Sequence, residues 1–511
     1  MTQVFPAFLN RIRPVESRIV SHTSFYPRIA TLAAILIVAG TAACTVPLAP
    51  GYRISKESRE IQFVSGATSA LQIRGHFTLQ NSGSANLKFI DVLVPTEKPF
   101  GLKNLHVQVN GRDVTPAPLP AELQYDHPNT LRIPLDPVWE QKQKRELAIE
   151  YVLSFPGDSG SRIAESSKMF SLGYRGWFVD LQPPNHALSP FPSRPDRTAV
   201  VYRVPSNFLL LARGTRAGKK QMGDETEYRY MLRTQDLAPF VVAGQYVESA
   251  TSPRDNSAVV FWTLEPLREN TAASAQRIAS AWNTMQTDFG PLDKDIRAPH
   301  VVESPELRSH LTGEEGPAAA SFPGGALVNP AALALGVNSD EFIDRVTHAI
   351  ARDWFGEQIY PAPFAALGLG EGLPAYATIV IDEAGKGEEA RRRRIVRFLR
   401  AYDAASAKAV EIPLGVSKMT DPPEQRAIGL AKAPLFFIAL EDRCGEEPVR
   451  KGLARVVSLL RGQQVGYNEI RSAIEESSGK DLAEFFRTWL YEKGIPRDFL
   501  SKYAAANESQ Q

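Results

Sequence analysis

The sequence predicts an α+β protein in which an N-terminal antiparallel β-sandwich or saddle precedes a mixed domain that ends in helices. Three observations carry this. From about residue 59 to 250, apolar and polar side chains alternate in short runs, the period of half-buried strands. From 339 to 491 the apolar spacing lengthens to that of helices. The 38 prolines among 511 residues suit loops and sheet edges better than an all-helical chain. A hydrophobic content of 43% with 23% charged residues is ordinary for a globular protein. The net charge of +1 argues against a nucleic-acid partner or a strongly acidic substrate.

The chain opens with a targeting pattern. Arg11, Arg13, Arg18 and Arg28 precede an uncharged run from Ile29 to Ala43. That run is short for a spanning helix and suits a signal-peptide core. Thr41-Ala42-Ala43-Cys44 resembles a bacterial lipobox, with cleavage before Cys44 and lipid on its sulfur, although Thr41 stands where leucine is usual. An ordinary signal peptide or an uncleaved anchor are the alternatives. Each predicts an exported chain in the cell envelope, either a membrane-anchored lipoprotein or a periplasmic protein. The only other cysteine, Cys444, then has no intrachain partner. It follows the apolar run Leu435 to Leu440, which predicts a buried, inert thiol.

The expected organisation is a signal peptide or anchor over 1–43, a tether over 44–58, a β domain over 59–252, a second domain over 253–503 and a disordered tail over 504–511. Strand alternation appears at 70–79, at 105–111 where Asn110-Gly111 signals a hairpin, and at 131–135, 147–153, 199–204, 228–232 and 259–263. Residues 268–288 read as a helix with Ile278, Ala281, Trp282 and Met285 on one side. The run Arg391 to Arg394, with Arg397 and Arg400, follows Glu388 and Glu389 and reads as a solvated helix face. Binding to anionic lipid heads or wall polymers is its other reading.

The chemistry concentrates between 348 and 372. His348-Ala349-Ile350-Ala351-Arg352-Asp353-Trp354-Phe355-Gly356 is followed by Leu369-Gly370-Glu371-Gly372. This segment resembles the M1 family of zinc aminopeptidases, whose gluzincin motif is H-E-x-x-H, eighteen residues, then a glutamate before glycine. The same eighteen residues separate Arg352 from Glu371. Trp354-Phe355-Gly356, Glu371-Gly372 and Ala375-Tyr376 are similar to the family's W-F-G and N-E-G-F-A-S-Y. Gly325-Ala326-Leu327-Val328-Asn329-Pro330 resembles its G-A-M-E-N-P. Ser478 to Leu482, Phe485-Phe486 and Trp489-Leu490 resemble its closing helices. Asp236 to Gly244 is similar to the strand ending its N-terminal saddle, and Trp177-Phe178 to its W-Y/F-P segment. The resemblance covers roughly 59 to 498 and implies a saddle followed by a thermolysin-like domain, with a cleft between them that would hold a peptide or protein ligand.

The same resemblance withholds the reaction. Two histidines at i and i+4 on one helix face bind zinc, the glutamate between them serves as general base, and a distant glutamate completes the set. His348 and Glu371 keep two ligand positions. Arg352 takes the third, and a guanidinium has no lone pair to give. Ala349 stands at the base position. Val328 replaces the glutamate that holds the substrate's amine, leaving Gly325, Ala326 and Asn329 of that substrate-binding motif. Leu430 falls where the transition-state tyrosine is expected. The resemblance therefore implies a pseudopeptidase, with no cofactor expected; zinc enters only under the alternative of an active metallo-aminopeptidase with unconventional ligands. Charge counting suggests that Arg352 fills the metal's place and pairs with Glu371, the plain alternative being two solvated side chains in an open cleft. His300, Glu303, Glu306, His310, Glu314 and Glu315 carry zinc-type donors but match no ligand spacing, and His186 stands alone.

Overall fold

The computed structural model describes residues 51–508 apart from 65–69, 84, 96–100, 121–128, 155–162, 167, 173–176, 182–194, 196, 234–239, 252–257, 293–298, 306 and 308–315. The leader, Cys44 and His186 lie outside these residues, as do Glu306, His310, Glu314 and Glu315. Among the described residues no helix is long and apolar enough to cross a membrane.

The first half is β-structure, as the alternation predicts. In chain order its strands are β1 (Tyr52–Val64), β2 (Ala70–Asn81), β3 (Leu87–Leu93), β4 (Gly101–Val109), β5 (Arg112–Val114), β6 (Ala117–Pro118), β7 (Thr130–Trp139) and β8 (Lys144–Ser154). They continue as β9 (Ile163–Ser166), β10 (Met169–Leu172), β11 (Asp180–Leu181), β12 (Arg197–Pro205), β13 (Leu209–Ala212), β14 (Thr215–Met222), β15 (Glu225–Arg233) and β16 (Val241–Gly244). An eight-stranded sheet runs β14-β15-β12-β1-β2-β8-β4-β5, and two four-stranded sheets run β13-β16-β10-β9 and β11-β3-β7-β6. Pairing is antiparallel except between β1 and β12, which run parallel. The Asn110-Gly111 signal works as written: both residues have positive φ, 51° and 75°, and Val109 faces Arg112 across the turn.

β1 corrects the tether. Residues 52–58 are sheet, with Tyr52 opposite Asn81 and Ser58 opposite His76. The inward positions Ile54, Glu57, Arg59, Ile61 and Phe63 are all buried. Two of those are charged, which hides the alternation. Inside, Arg59 Nε donates to Glu57 Oε1 at 2.6 Å, and the Arg59 guanidinium lies 3.9 Å from the centre of the Phe178 ring.

The second domain starts at β17 (Val247–Thr251), which pairs with β18 (Val259–Thr263); by sheet membership the boundary falls at 245–246 and not after 252. With β19 (His300–Glu303), β20 (Ala319–Phe322) and β21 (Gly325–Val328) they form a sheet in the order β17-β18-β19-β21-β20. Its centre is parallel and β20 closes one edge, antiparallel to β21. Helices then follow: α1 (Ala272–Phe289) between β18 and β19, and after the sheet α2 (Pro330–Leu333), α3 (Asp340–Arg352), α4 (Leu373–Lys386), α5 (Glu388–Ser406) and α6 (Pro423–Cys444). The chain closes with α7 (Glu446–Leu459), α8 (Tyr467–Ser478), α9 (Ala483–Tyr491) and α10 (Arg497–Glu508). α10 occupies most of the expected tail.

The arginine run on α5 is not a solvated face throughout. Arg391 and Arg394 are buried. Arg391 donates to Glu441 Oε2 at 2.7 Å and Glu383 Oε2 at 2.9 Å, while Arg450 reaches Glu441, Glu383 and Asp288. Tyr376 Oη adds a bond of 2.6 Å to Glu441. This network ties α1, α4, α5, α6 and α7 together. Every buried charge in it has an opposite partner, as burial demands. Cys444 ends α6 as a free, buried thiol.

The two domains meet through apolar packing and ion pairs, Lys168 Nζ standing 3.0 Å from Glu265 Oε1. Phe240 stacks on Phe322 with ring centres 4.8 Å apart, in a cluster that also joins Met169 and Val242 to Val302 and Leu327. Arg213 Nη1 lies 3.4 Å from Glu357 Oε2, both buried.

Candidate functional site

α3 is built to present one face. Ser339 caps it, its hydroxyl accepting from the Phe342 N–H, and Asp340 and Glu341 occupy the first turn where they favour the helix dipole. Phe342, Ile343, Val346, Ala349 and Ile350 bury one side in the core. The opposite stripe carries Glu341, Arg345, His348 and Arg352 at intervals of four, three and four residues.

After Arg352 the backbone widens into a π-turn, Asp353–Gln358. Trp354 anchors it: its ring packs edge-on against Trp282, and Nε1 donates to Gly290 O at 2.8 Å. The chain returns through a second π-turn, Gly368–Gly372, which delivers Glu371 opposite α3. Gly372 is required by close approach, because a Cβ there would sit 2.5 Å from Ala433 Cβ on α6.

Glu371 is 4% exposed, and Arg352 Nη1 donates to its Oε1. His348 Nε2 stands 3.6 Å from Glu371 Oε2 and keeps 32% of its side chain open. Ala349 is buried among core residues. Asp353, beside Arg352, is fully buried and accepts from the Gly324 N–H at 3.0 Å. Burial, then the nearby Glu357 charge, pushes its carboxyl well above the usual range.

A cavity of about 730 Å³ opens over this floor. Its walls are α3 (Asp340, Glu341, Asp344, Arg345, His348), α4 with the preceding π-turn (Glu371, Ala375, Thr378), α5 (Arg394, Arg397, Phe398), Leu430 of α6, and Pro317 to Ala319 leading into β20. Among the described residues, those lining this cavity belong to the second domain.

The structure brings His348, Arg352, Glu371 and Leu430 to one place and leaves the Gly325 motif elsewhere. Gly325, Ala326, Val328 and Asn329 do not line the cavity. Val328 is fully buried in the core, and a Cβ on Gly325 would strike His300 O at 2.0 Å. Asn329 caps α2: Oδ1 accepts from the Ala318 and Ala332 N–H groups, and Nδ2 donates to Leu307 O and Gly316 O. All its hydrogen-bonding capacity holds the chain together. The strand that reaches the cavity is β20, one position further out. Of the other donors, Glu303 Oε2 accepts from the Leu264 N–H at 2.7 Å and His300 meets Trp262 edge-on.

The donor set does not fit a catalytic zinc ion. Such sites take three protein ligands, and of the three motif positions His348 and Glu371 offer lone pairs while Arg352 does not. Among the described residues no group of three or more His, Cys, Asp or Glu side chains is placed to hold a metal.

No protein-family profile and no curated protein sequence matches this chain. Solved structures do. An M1 zinc metallopeptidase from Deinococcus radiodurans is similar over 88% of this chain and 96% of its own, at 15% identity and a TM-score of 0.58. A mutant of the Deinococcus radiodurans enzyme bound to a Tyr-Ser-Ala substrate gives 88% and 97%, 16% identity and a TM-score of 0.59. A two-domain M1 zinc metallopeptidase mutant bound to L-tryptophan gives 87% and 96%, at 16% and 0.57. At this identity the likeness establishes the fold: an M1-metallopeptidase-like arrangement of β domain and helical second domain.

Proposed function

We propose that this chain is an M1-like pseudopeptidase of the cell envelope, anchored through Cys44, that holds a peptide or protein segment in the α3–α5 cavity without cutting it. The contact of Arg352 with Glu371 carries the reading. It places a fixed positive charge against the glutamate that would otherwise face a metal, and it uses atoms that cannot ligate one. Ala349 supports the same reading, since a buried methyl group cannot take a proton from water. Leu430 adds an apolar surface to the cavity where a hydroxyl would be needed. The cavity itself persists at a volume usual for ligand sites. A structural relative with this fold binds the tripeptide Tyr-Ser-Ala, which makes a short peptide the first ligand to try.

The test is metal analysis with reconstitution. Purified protein dialysed against equimolar zinc is expected to retain well under one ion per chain. The double variant Ala349→Glu with Arg352→His, which restores three donors and a base, is expected to retain about one. Stoichiometric zinc in the unaltered protein, lost on His348→Ala, would establish an active metallopeptidase with unconventional ligands instead. Labelled palmitate is expected to enter the unaltered chain and not Cys44→Ser.

A further inference from the structure

The chain enters the β domain at an end rich in cations. Gly51 opens β1 beside the β2–β3 turn, where the Gly83 N–H donates to Gly51 O at 3.2 Å. Leu87 of β3 faces Trp139 of β7, and the Lys142 N–H donates to Asn81 O at 2.9 Å, which brings the β7–β8 turn to the same place. The Asn110 N–H donates to Glu146 O at 2.8 Å and adds the β4–β5 hairpin. This end of the domain is therefore built from residues 51–56, 78–88, 110–112 and 136–146.

Its charges do not balance. β1 contributes Arg53 and Lys56, β3 contributes Lys88, and the hairpin contributes Arg112. The β7–β8 segment carries Lys142, Lys144 and Arg145 against Asp136, Glu140 and Glu146. Seven cations thus meet three carboxylates. Six of the seven are exposed and Arg145 is half-buried, and among the described residues none of them has a carboxylate partner. Arg53 Nη2 donates instead to Gln80 Oε1 at 2.6 Å, and Gln80 faces Lys144 on β8. The next acid along β5, Asp113, is already held by His106 and Gln108, and counting it still leaves a surplus. Of the residues not described, 45–50 and Ser84 are uncharged, and 182–196 after β11 carries one charge of each sign, Arg194 and Asp196. The surplus is also not the chain's average. Four arginines and one glutamate of the net +1 lie within 1–43, so the remainder of the chain sums to −2.

A short tether decides what this end meets. Seven residues lead from Cys44 to Gly51, and an extended chain covers at most about 3.6 Å per residue, so about 25 Å in all. A lipid on Cys44 keeps this end of the domain within that distance of a bilayer. The far end of β1 lies 13 residues on, roughly 40 Å further along the strand.

We infer that this basic end, centred on Lys142 and Lys144, lies against the anionic phospholipid headgroups of the bilayer that anchors Cys44. Its placement there rests on the reading of Cys44 as the anchor, whereas its charge belongs to the folded domain alone.

Co-sedimentation with vesicles tests it. The chain from Thr45 onward carries no lipid and keeps the compact unit 50–511 whole. It is mixed with vesicles of phosphatidylcholine alone, or of phosphatidylcholine with phosphatidylglycerol. Partition onto the anionic vesicles is expected to be about tenfold or more the stronger, since each basic side chain at such a surface adds several-fold, and to fall as salt is raised. Lys142→Glu with Lys144→Glu, exposed changes whose folding is checked by melting, takes the local charge from +4 to zero and should abolish the difference. Arg393→Glu with Arg400→Glu makes the same change in total charge at exposed positions of α5 and should leave it in place. Equal partition onto the two vesicles overturns the inference. So does a difference that survives the Lys142 and Lys144 changes, or one lost on the α5 changes instead. Palmitate incorporation is scored separately on the unaltered chain, so a failed anchor and a failed lipid surface are told apart.

Discussion

Replacing Arg352 by alanine strands the carboxylate of Glu371. That side chain is 4% exposed, so water cannot take over the role of the guanidinium, itself only 12% exposed. Breaking a buried pair from one side costs roughly 3–5 kcal/mol. His348, 3.6 Å away, offers partial compensation and draws the expectation toward the lower end, about 2–4 kcal/mol. Urea denaturation followed by tryptophan fluorescence reads this directly, because Trp282 and Trp354 pack together beside the first π-turn. Arg352→Ala with Glu371→Gln removes both charges and should recover at least half of the loss. Arg352→Ala within about 0.5 kcal/mol of the unaltered protein, the range of an inconsequential surface change, would show that the contact does not hold the site.

Three further outcomes follow from the same packing. Gly372→Ala should destabilise by about 1–3 kcal/mol through the clash with Ala433, and Ala433→Gly should restore much of it, both read by thermal melting. Lys432 is fully buried, donating to Glu411 Oε1 at 2.7 Å and Glu492 O at 2.9 Å. Lys432→Met should therefore cost about 3 kcal/mol in urea denaturation, and Glu411→Gln should relieve it. Asp353 has a raised folded pKa, so its stabilising contribution is full below the ordinary aspartate range and is lost as pH rises toward the folded value. Asp353→Asn, whose amide oxygen still accepts from Gly324, should gain on the unaltered protein between pH 5 and pH 8; a constant difference across that range would contradict the assignment.

The sequence is informative where periodicity speaks and misleading where charge is buried. β2, β8, β12 and β15 follow from alternation, and the Asn110-Gly111 turn from its own chemistry. The beginning of β1 does not, because Glu57 and Arg59 occupy inward positions and neutralise each other there. Arg391 and Arg394 mislead for the same reason: a basic run looks solvated until Glu383, Glu441, Asp344 and Asp382 arrive from other helices. At the site, the His348 to Gly372 spacing places Glu371 opposite α3, since two π-turns fix both ends of that excursion. The Gly325 segment shows the limit of letter matching. Its residues resemble a substrate-binding strand, yet the sheet order puts β21 inside and gives the cavity to β20. No local pattern states which of two adjacent strands is the edge.

The two π-turns joined by Arg352 and Glu371 have one more implication. A clasp made from the chain's own side chains is supplied in fixed stoichiometry with every molecule synthesised. It needs no delivery system, cannot be stripped by a chelator and cannot be filled by the wrong ion. The loop it closes would therefore be the same in metal-rich and metal-starved conditions.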